Sequence, residues 1–361
     1  MKTKYQSIAD EIRNQILSNF FQIGQTIPAE HQLQHDYQVS RDTIRKAVSV
    51  LVNEGFLRRE KGSGTYVNEI HYQKTSTENK SPKTIGLITT YISDYIFPTI
   101  IRGIEQELNE KGYSLLLSST NNNYAQEKKC LEKMIDFGVD GLIVEPTKSN
   151  QYNPNLATYV NLREHNIPIV MINAVYEELS TPFICVDDVQ VGYIATKELV
   201  DNNHKNLLLI TKLDDLQGKL RMKGFIKACE EGHIQISSDS IVTYTTETIE
   251  TVYAEVINHL KTQNITGVVC YNDMVAKVLI NRLTELGYNI PEDYSIVGND
   301  NSNLSQMGGI SLTSTEHPKV LMGIDAARWI VQTIEEGKPG KDILYQPNLI
   351  QRNSVRKLEN T

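Results

Sequence analysis

The stretch SRDTIRKAVSVLVNE, residues 40–54, reads as an amphipathic helix. Ile44, Ala47, Val48, Leu51 and Val52 fall at i, i+3, i+4, i+7 and i+8, so they share one face that must be buried. Ser40 is placed to cap the N-terminus, and Gly55 to stop the helix after its last turn. Arg41, Asp42, Thr43, Arg45 and Lys46 crowd the first turns and point elsewhere. Such an end can meet phosphates and base edges, or it can be the charged end of an ordinary surface helix. The neighbouring segments decide.

Upstream, Ile8, Ile12, Ile16 and Phe20 recur every four residues, with Ala9 and Leu17 between them, which predicts a first helix over residues 5–20. Gly24 breaks the pattern. Pro28 favours a turn or a helix start, and residues 29–37 follow as a second helix with Leu33 and Tyr37 inward. Gln38 and Val39 form a tight turn before Ser40, which completes a helix-turn-helix. Downstream, residues 56–57 and 65–67 are strand-like runs around a turn that carries Lys61, Gly62, Ser63 and Gly64. This hairpin either presents backbone N–H groups to a phosphate or is a plain turn. Its GxG lies between strands, so it is not a dinucleotide fingerprint.

These elements, with the G-x-x-x-P-A-E-x-x-L segment from Gly24 to Leu33 and GSGTYV at the wing, resemble the winged helix-turn-helix of GntR-type bacterial regulators. The resemblance covers residues 3–68. It implies contact with double-stranded operator DNA by Lys4, Glu30, Arg41, Asp42, Thr43, Arg45, Lys61, Ser63, Gly64 and Thr65. The chemistry of these side chains agrees: arginine can fork to guanine, glutamate can accept from cytosine, and lysine and threonine can hold phosphates.

Composition sets outer bounds. With 361 residues, 40% hydrophobic and 22% charged, the chain has the make-up of a globular protein of two or three domains. No apolar run approaches a membrane span, and the N-terminus is polar, so a cytoplasmic protein with no membrane partner is expected. Cys130, Cys185, Cys229 and Cys270 are widely spaced and predict buried free thiols. His31 and His35 lack the glutamate of HExxH, and neither a metal nor a cofactor is expected. The net charge is −8, yet residues 1–70 hold nine Lys/Arg against eight Asp/Glu, a balance of +1. A near-neutral module on an acidic body fits a DNA reader whose basic groups lie on one face.

Residues 69–82 are polar without hydrophobic period and read as a linker between residues 1–68 and 83–361. Apolar runs at 84–90, 113–119, 141–145, 167–172, 207–211, 267–271 and 294–297 then alternate with helical patterns at 97–111, 126–137, 156–165, 191–201, 219–231, 248–263, 273–286 and 318–336. This alternation specifies parallel α/β sheets. The body is large for one sheet, and the pattern resets near Pro182, so two lobes with a ligand cleft between them are expected. Trp329 falls at packing positions of its helix. GxSxG, Walker A and HExxH motifs are absent, so the body reads as a receiver rather than a catalyst.

Residues 83–357 resemble the LacI/GalR regulatory domain, through TIGLITTYISDYIFPTIIRGIEQELNEKGYSLLL, FGVDGLIVEP, VDDVQVGYIATKELV, KLRMKGF, the VVCYNDM-to-VGNDN segment and LTSTEHP. The whole is thus a small α+β winged helix-turn-helix domain followed by a two-lobed α/β periplasmic-binding-protein-like domain. The pairing resembles the arabinose-responsive repressors of Gram-positive bacteria. It implies a homodimeric repressor released by a sugar, L-arabinose; the cleft residues themselves leave another sugar or a purine open.

Tyr91, Asp94, Tyr95 and Phe97 follow the first strand of the body, Glu145 and Lys148 the third, and Asp187 or its neighbour Asp188 ends a strand at the crossover. The resemblance adds Arg221, Asn272, Asp300 and His317. Each has a plainer alternative: Arg221 and Asp300 as a structural ion pair, Asp94, Glu145 and Lys148 as loop charges, Tyr91 and Tyr95 as core. LacI relatives carry a hinge helix where this chain has its polar linker, so communication has to run through the placement of two readers in a dimer.

Overall fold

Apolar residues at three- and four-residue spacing bury one face of each helix near the N-terminus. The computed structural model describes residues 4–17, 20–22, 24–53, 55–60, 63–68, 83–93 and 95–359. The chain falls into two units, Met1–Lys80 and Ser81–Thr361. The expected linker, residues 69–82, lies outside the described residues.

The first unit contains α1 (Lys4–Leu17), α2 (Glu30–Tyr37), α3 (Arg41–Asn53), β1 (Leu57–Glu60) and β2 (Gly64–Val67). Its core joins Ile8, Ile12 and Ile16 of α1, Leu33 of α2, Ile44, Ala47, Val48 and Leu51 of α3, and Leu57 and Val67 of the hairpin. The Ser40 hydroxyl accepts from the Thr43 N–H at 3.3 Å, capping α3. Gly55 sits at φ +80°, the left-handed stop that a side chain resists. Phe20 departs from its expected inward place. It is 69% exposed and meets Phe21 edge-on, three residues past the end of α1. The hairpin is antiparallel, with Leu57 opposite Val67 and Glu60 opposite Gly64. The segment before α2 runs beside it through Gly24 N–H to Val67 O and Ile27 N–H to Thr65 O.

The second unit begins with β3 (Thr84–Thr89), α4 (Phe97–Glu110), β4 (Ser114–Ser119), α5 (Tyr124–Phe137), β5 (Gly141–Val144), α6 (Leu156–Glu164), β6 (Ile169–Ile172) and β7 (Phe183–Val186). It continues with α7 (Asp188–Asp201), β8 (Leu207–Lys212), α8 (Leu216–Glu231), β9 (Ile241–Tyr244), α9 (Ile249–Thr262), β10 (Gly267–Cys270), α10 (Asp273–Glu285), β11 (Ser295–Asp300) and β12 (Thr313–Glu316). It ends with α11 (Lys319–Glu336), β13 (Ile343–Tyr345) and β14 (Leu349–Ile350).

Two six-stranded sheets form, in the orders β13-β7-β6-β5-β3-β4 and β14-β12-β11-β10-β8-β9. Every pairing is parallel except β12 with β14. The expected reset near Pro182 comes before β7, which still belongs to the first sheet. The chain passes to the second lobe after Val186, returns through α11, and crosses again between β13 and β14. Trp329 of α11 packs in the first lobe among Ile330, Met322 and Ile85. All four cysteines are free and buried. Among the described residues, no helix is long and apolar enough to cross a membrane.

The α7–α8 crossing sets the position of a functional side chain. A Cβ on Gly192 would fall 2.0 Å from the Arg221 carbonyl oxygen, and one on Gly224 2.0 Å from that of Val189. The two backbones therefore touch, which brings Arg221 of α8 against Asp188 at the start of α7. Gly224→Ala is expected to lower the urea midpoint of this unit, at a cost of about 1–3 kcal/mol from overpacking. Gly309→Ala, with nothing within 4 Å of its added Cβ, serves as the silent control.

Candidate functional site

Parallel strands leave their C-terminal ends open to a crevice where the strand order reverses. A cavity of about 310 Å³ lies between the two lobes there. Of the residues expected to line it, Tyr91, Tyr95, Phe97, Glu145, Arg221, Asn272, Asp300 and His317 do so. Asp94 lies outside the described residues. Two expectations are corrected. The Asp187 carboxylate turns back to cap α7, accepting from Gln190 N–H at 3.0 Å, and its neighbour Asp188 lines the cavity instead. Lys148 lies off the cavity wall and pairs with Glu247 of the other lobe.

Arg221 organises the second-lobe wall. Its Nε donates to Asp188 at 2.8 Å, one Nη to Asp300 at 3.0 Å and the other to the Tyr271 carbonyl at 2.6 Å. Its guanidinium lies 5.1 Å from the Tyr271 ring centre. The pair read as possibly structural is thus both an ion network and a cavity wall. One buried guanidinium faces two carboxylates, so they do not ionise alike. Burial, eased by Arg221, leaves Asp188 raised to about 6. Burial also opposes ionisation of Asp300, but there Arg221, with help from the Tyr95 hydroxyl and Lys319, holds the carboxyl below its usual range.

Tyr95 reaches across from the first lobe. Its hydroxyl donates to Asp300 at 2.7 Å and accepts from the Asp273 N–H at 3.1 Å. Its backbone sits at φ +62°, a strained place for a bulky residue, costing on the order of 1–3 kcal/mol.

The first-lobe wall is a chain of hydrogen bonds that assigns protons. Glu145 accepts from the Thr90 N–H at 2.9 Å and its hydroxyl at 2.6 Å, and from Asn173 Nδ2 at 2.9 Å. Asn173 Oδ1 is therefore an acceptor, and His317 Nε2, 3.0 Å away, carries the hydrogen. Burial pushes His317 down to about 4, so its ring is neutral at pH 7. Its Nδ1 is then a bare acceptor, buried without a hydrogen-bond partner among the described residues, as is Oε1 of the cavity-lining Gln217.

Lys212, Asp215 and Asn173 also line the cavity and did not figure among the expected site residues. Lys212 is bonded to Asp215 at 2.8 Å, and Tyr271 donates to the same carboxylate at 3.0 Å. Burial opposes the Lys212 charge, but Asp215 and Asp214 outweigh it and raise the pKa. The rule that ligands sit at strand C-termini could have found this set, because β8 runs through Lys212 rather than stopping at Thr211. The cavity thus presents carboxylates from Glu145, Asp188, Asp215 and Asp300, two orphan acceptors and tyrosine faces. It suits a neutral molecule rich in hydroxyl donors and repels anions.

The Asp188 shift makes a testable pH dependence. Its folded pKa of about 6 exceeds the unfolded value of about 3.9. The native state therefore binds the extra proton, and this stability is full below pH 4 and is lost as pH rises through 6. The urea stability of the wild type relative to Asp188→Asn should fall between pH 4 and 7; a constant difference contradicts the assignment.

On the first unit, Glu30 gathers three arginines, among them Arg41 and Arg45 of the expected DNA contacts. Its carboxylate lies 3.4 Å from Arg41 Nε, 3.3 Å from Arg45 Nε and 3.7 Å from Arg59. Arg41 and Arg45 remain 67% and 61% exposed, so these pairs are weak. Arg59, on β1, did not figure among the expected contacts; it also lies 3.5 Å from the Ser49 hydroxyl of α3. Asp42 pairs with Lys46 at 3.0 Å, and Thr43 bonds the Ser40 hydroxyl at 2.9 Å. Lys4 is exposed at the start of α1. At the wing, Ser63 meets the Tyr66 hydroxyl at 2.5 Å, Gly64 sits at φ +143° and Thr65 stands opposite Arg59. Lys61 lies outside the described residues.

Known proteins share both units. Residues 4–67 match the family described as bacterial regulatory proteins, gntR family, and residues 196–355 match the periplasmic binding protein-like domain. The chain is 44% identical to the arabinose metabolism transcriptional repressor of Halalkalibacterium halodurans, over 98% of this chain and 97% of that one. It is 42% identical to the protein of the same description in Geobacillus stearothermophilus, over 98% of each. Among solved structures, a LacI family transcriptional regulator from Enterococcus faecium with bound ribose superposes with a TM-score of 0.65 at 25% identity, over 76% of this chain and all of that one.

Proposed function

The chain belongs to the family of arabinose metabolism transcriptional repressors, and on that premise we propose that L-arabinose, held between its lobes, releases it from operator DNA. The observation that carries the effector is the acceptor-rich cavity. Glu145, Asp188, Asp215, Asp300, Gln217 Oε1 and His317 Nδ1 can each take a sugar hydroxyl, while Asn272, whose Oδ1 is held by Val275 N–H, offers its amide nitrogen. Tyr91 and Phe97, edge to face at 5.9 Å, supply the apolar wall that a pyranose or furanose face requires. The regulator of like fold that holds ribose supports a pentose in such a cleft.

DNA is read by Arg41 and Arg45 of α3, with Glu30, the wing residues Ser63, Gly64 and Thr65, and Lys4 assisting. The protein acts as a homodimer on paired half-sites, since two-fold protein symmetry matches a palindromic operator. Sugar binding closes the lobes about their three crossovers, alters the placement of the two readers and lowers operator affinity. Calorimetry against L-arabinose, D-xylose, D-ribose, an arabinose phosphate and hypoxanthine tests the effector. Tight binding of L-arabinose and rejection of the phosphate are expected. A preference for any other member of the panel overturns the assignment.

A further inference from the structure

We propose that residues 146–155, with Asn122, form a latch that closes the cleft on the side away from the crossovers; Asn122, Pro146 and Thr246 also line the cavity, whereas Lys148, Ser149, Asn150 and Glu247 act on effector affinity from off its wall. Five polar contacts join the lobes there. Asn122 Nδ2 donates to the Thr246 hydroxyl at 2.7 Å. Lys148 Nζ pairs with Glu247. Asn150 donates from its backbone N–H to Asp214 O at 3.1 Å and from its side chain to Leu213 O at 2.9 Å. The Ser149 hydroxyl accepts from the Leu216 N–H at 2.8 Å, at the start of α8.

Each half of the latch is built around a buried carboxylate. In the first lobe, Glu127 of α5 is wholly buried and accepts from Asn153 and Asn155 Nδ2 at 2.7 Å each, Tyr159 at 2.8 Å and Tyr176 at 2.5 Å. The Tyr176 hydroxyl in turn accepts from Thr147 N–H at 2.7 Å. Glu127 thereby pins both ends of the loop, while Asn122 Oδ1 accepts from Lys148 N–H at 2.8 Å and fixes its tip. In the second lobe, Asp214 is wholly buried and accepts from the Thr246 N–H at 3.0 Å and hydroxyl at 2.6 Å. Asn121 and Asn122 hold the positive φ that asparagine tolerates, and Lys148, at φ +43°, bends the loop tip to this shape against local preference. Buried, hydrogen-bonded carboxylates fix conformation more than they add stability; Glu127 is bonded through both oxygens, whereas Asp214 is bonded through Oδ2 and has Lys212 Nζ 3.8 Å from its Oδ1. Both faces are therefore ready before they meet, and closing them orders few groups. Lys148 and Glu247 are positioning residues, not ligands.

The inference rests on a sugar closing the cleft, so its test carries two readouts on the full chain. The first is calorimetric L-arabinose affinity of the wild type, Lys148→Gln, Glu247→Gln, the double variant and the exchange Lys148→Glu with Glu247→Lys. Each single variant should weaken binding on the order of tenfold, the double no more than either single, and the exchange should recover most of the loss. The second readout is hydrogen exchange at the Asn150 and Leu216 amides, which donate across the latch and report closure whatever the effector is. Both should exchange faster in the variants, with or without sugar. Multiplying effects in the double variant, or amides that exchange alike in wild type and variants, overturn the latch. If the wild type binds no L-arabinose while the amides respond as expected, the effector assignment fails and the latch stands.

Discussion

Arg221→Met is expected to abolish L-arabinose binding and to destabilise the two-lobed unit by about 3–5 kcal/mol, the usual result of removing one partner from a buried ion network. Asp188, Asp300 and the Tyr271 carbonyl would all lose their donor at once. Asp300 keeps the Tyr95 hydroxyl at 2.7 Å and the Tyr271 carbonyl a long bond from Asn299 Nδ2 at 3.4 Å, while Asp188 keeps no side-chain donor among the described residues. Without the guanidinium, two buried carboxylates face each other, and one has to take a proton. The deficit should therefore shrink as pH falls toward 5. Arg221→Lys keeps the charge but lacks the forked geometry that serves three acceptors. It should regain part of the stability and little of the affinity. Urea melts at pH 5 and 8, paired with calorimetry, separate the two effects; a variant that melts like the wild type would remove Arg221 from the centre of the site.

The second large effect belongs to the reader. Arg45→Ala should weaken specific operator binding by about 1–3 kcal/mol and relax selectivity at one base pair, if its guanidinium forks to a base edge. A phosphate contact would instead weaken specific and non-specific DNA alike and lower the salt slope by about one. Arg45 is 61% exposed and 3.3 Å from Glu30, so little folding energy is lost with it. Titrations of operator and scrambled duplexes at several salt concentrations decide between the two outcomes.

Much of this architecture was legible because it rests on periodic burial. The helices over 97–110, 156–164 and 273–285 lie within a residue of their apolar patterns, and the buried β3 and β5 were continuous apolar runs. β12 was illegible for a physical reason. Its sequence is TSTE, yet Thr313, Ser314 and Thr315 are buried, and their hydroxyls are satisfied by partners far away in the chain. Thr315 donates to Asn299 and Ser314 to Asp273, so no local hydrophobic signal exists. β13 and β14 are three- and two-residue pairings made only because the chain recrosses between the lobes.

The cleft shows the same division. Residues at strand ends, such as Glu145 and Asp300, follow from topology. The choice of Asp188 over Asp187 depends on which carboxylate caps α7, a matter of one residue of helix phase. Lys148 looked like a ligand because it follows a strand, but its backbone at φ +43° turns the side chain toward Glu247. The role of Tyr95 could not be read from composition, since it depends on a left-handed backbone and on Asp300, 205 residues away.

The central claim is that a sugar in the cleft and DNA on α3 oppose each other. Linkage then demands a reciprocal effect of equal size. The most direct test is an operator titration at fixed salt, with and without saturating L-arabinose. The predicted result is a fall in operator affinity of about 5- to 150-fold, matched by an equal fall in sugar affinity when operator is bound. Equal operator affinities in the two titrations would contradict the account.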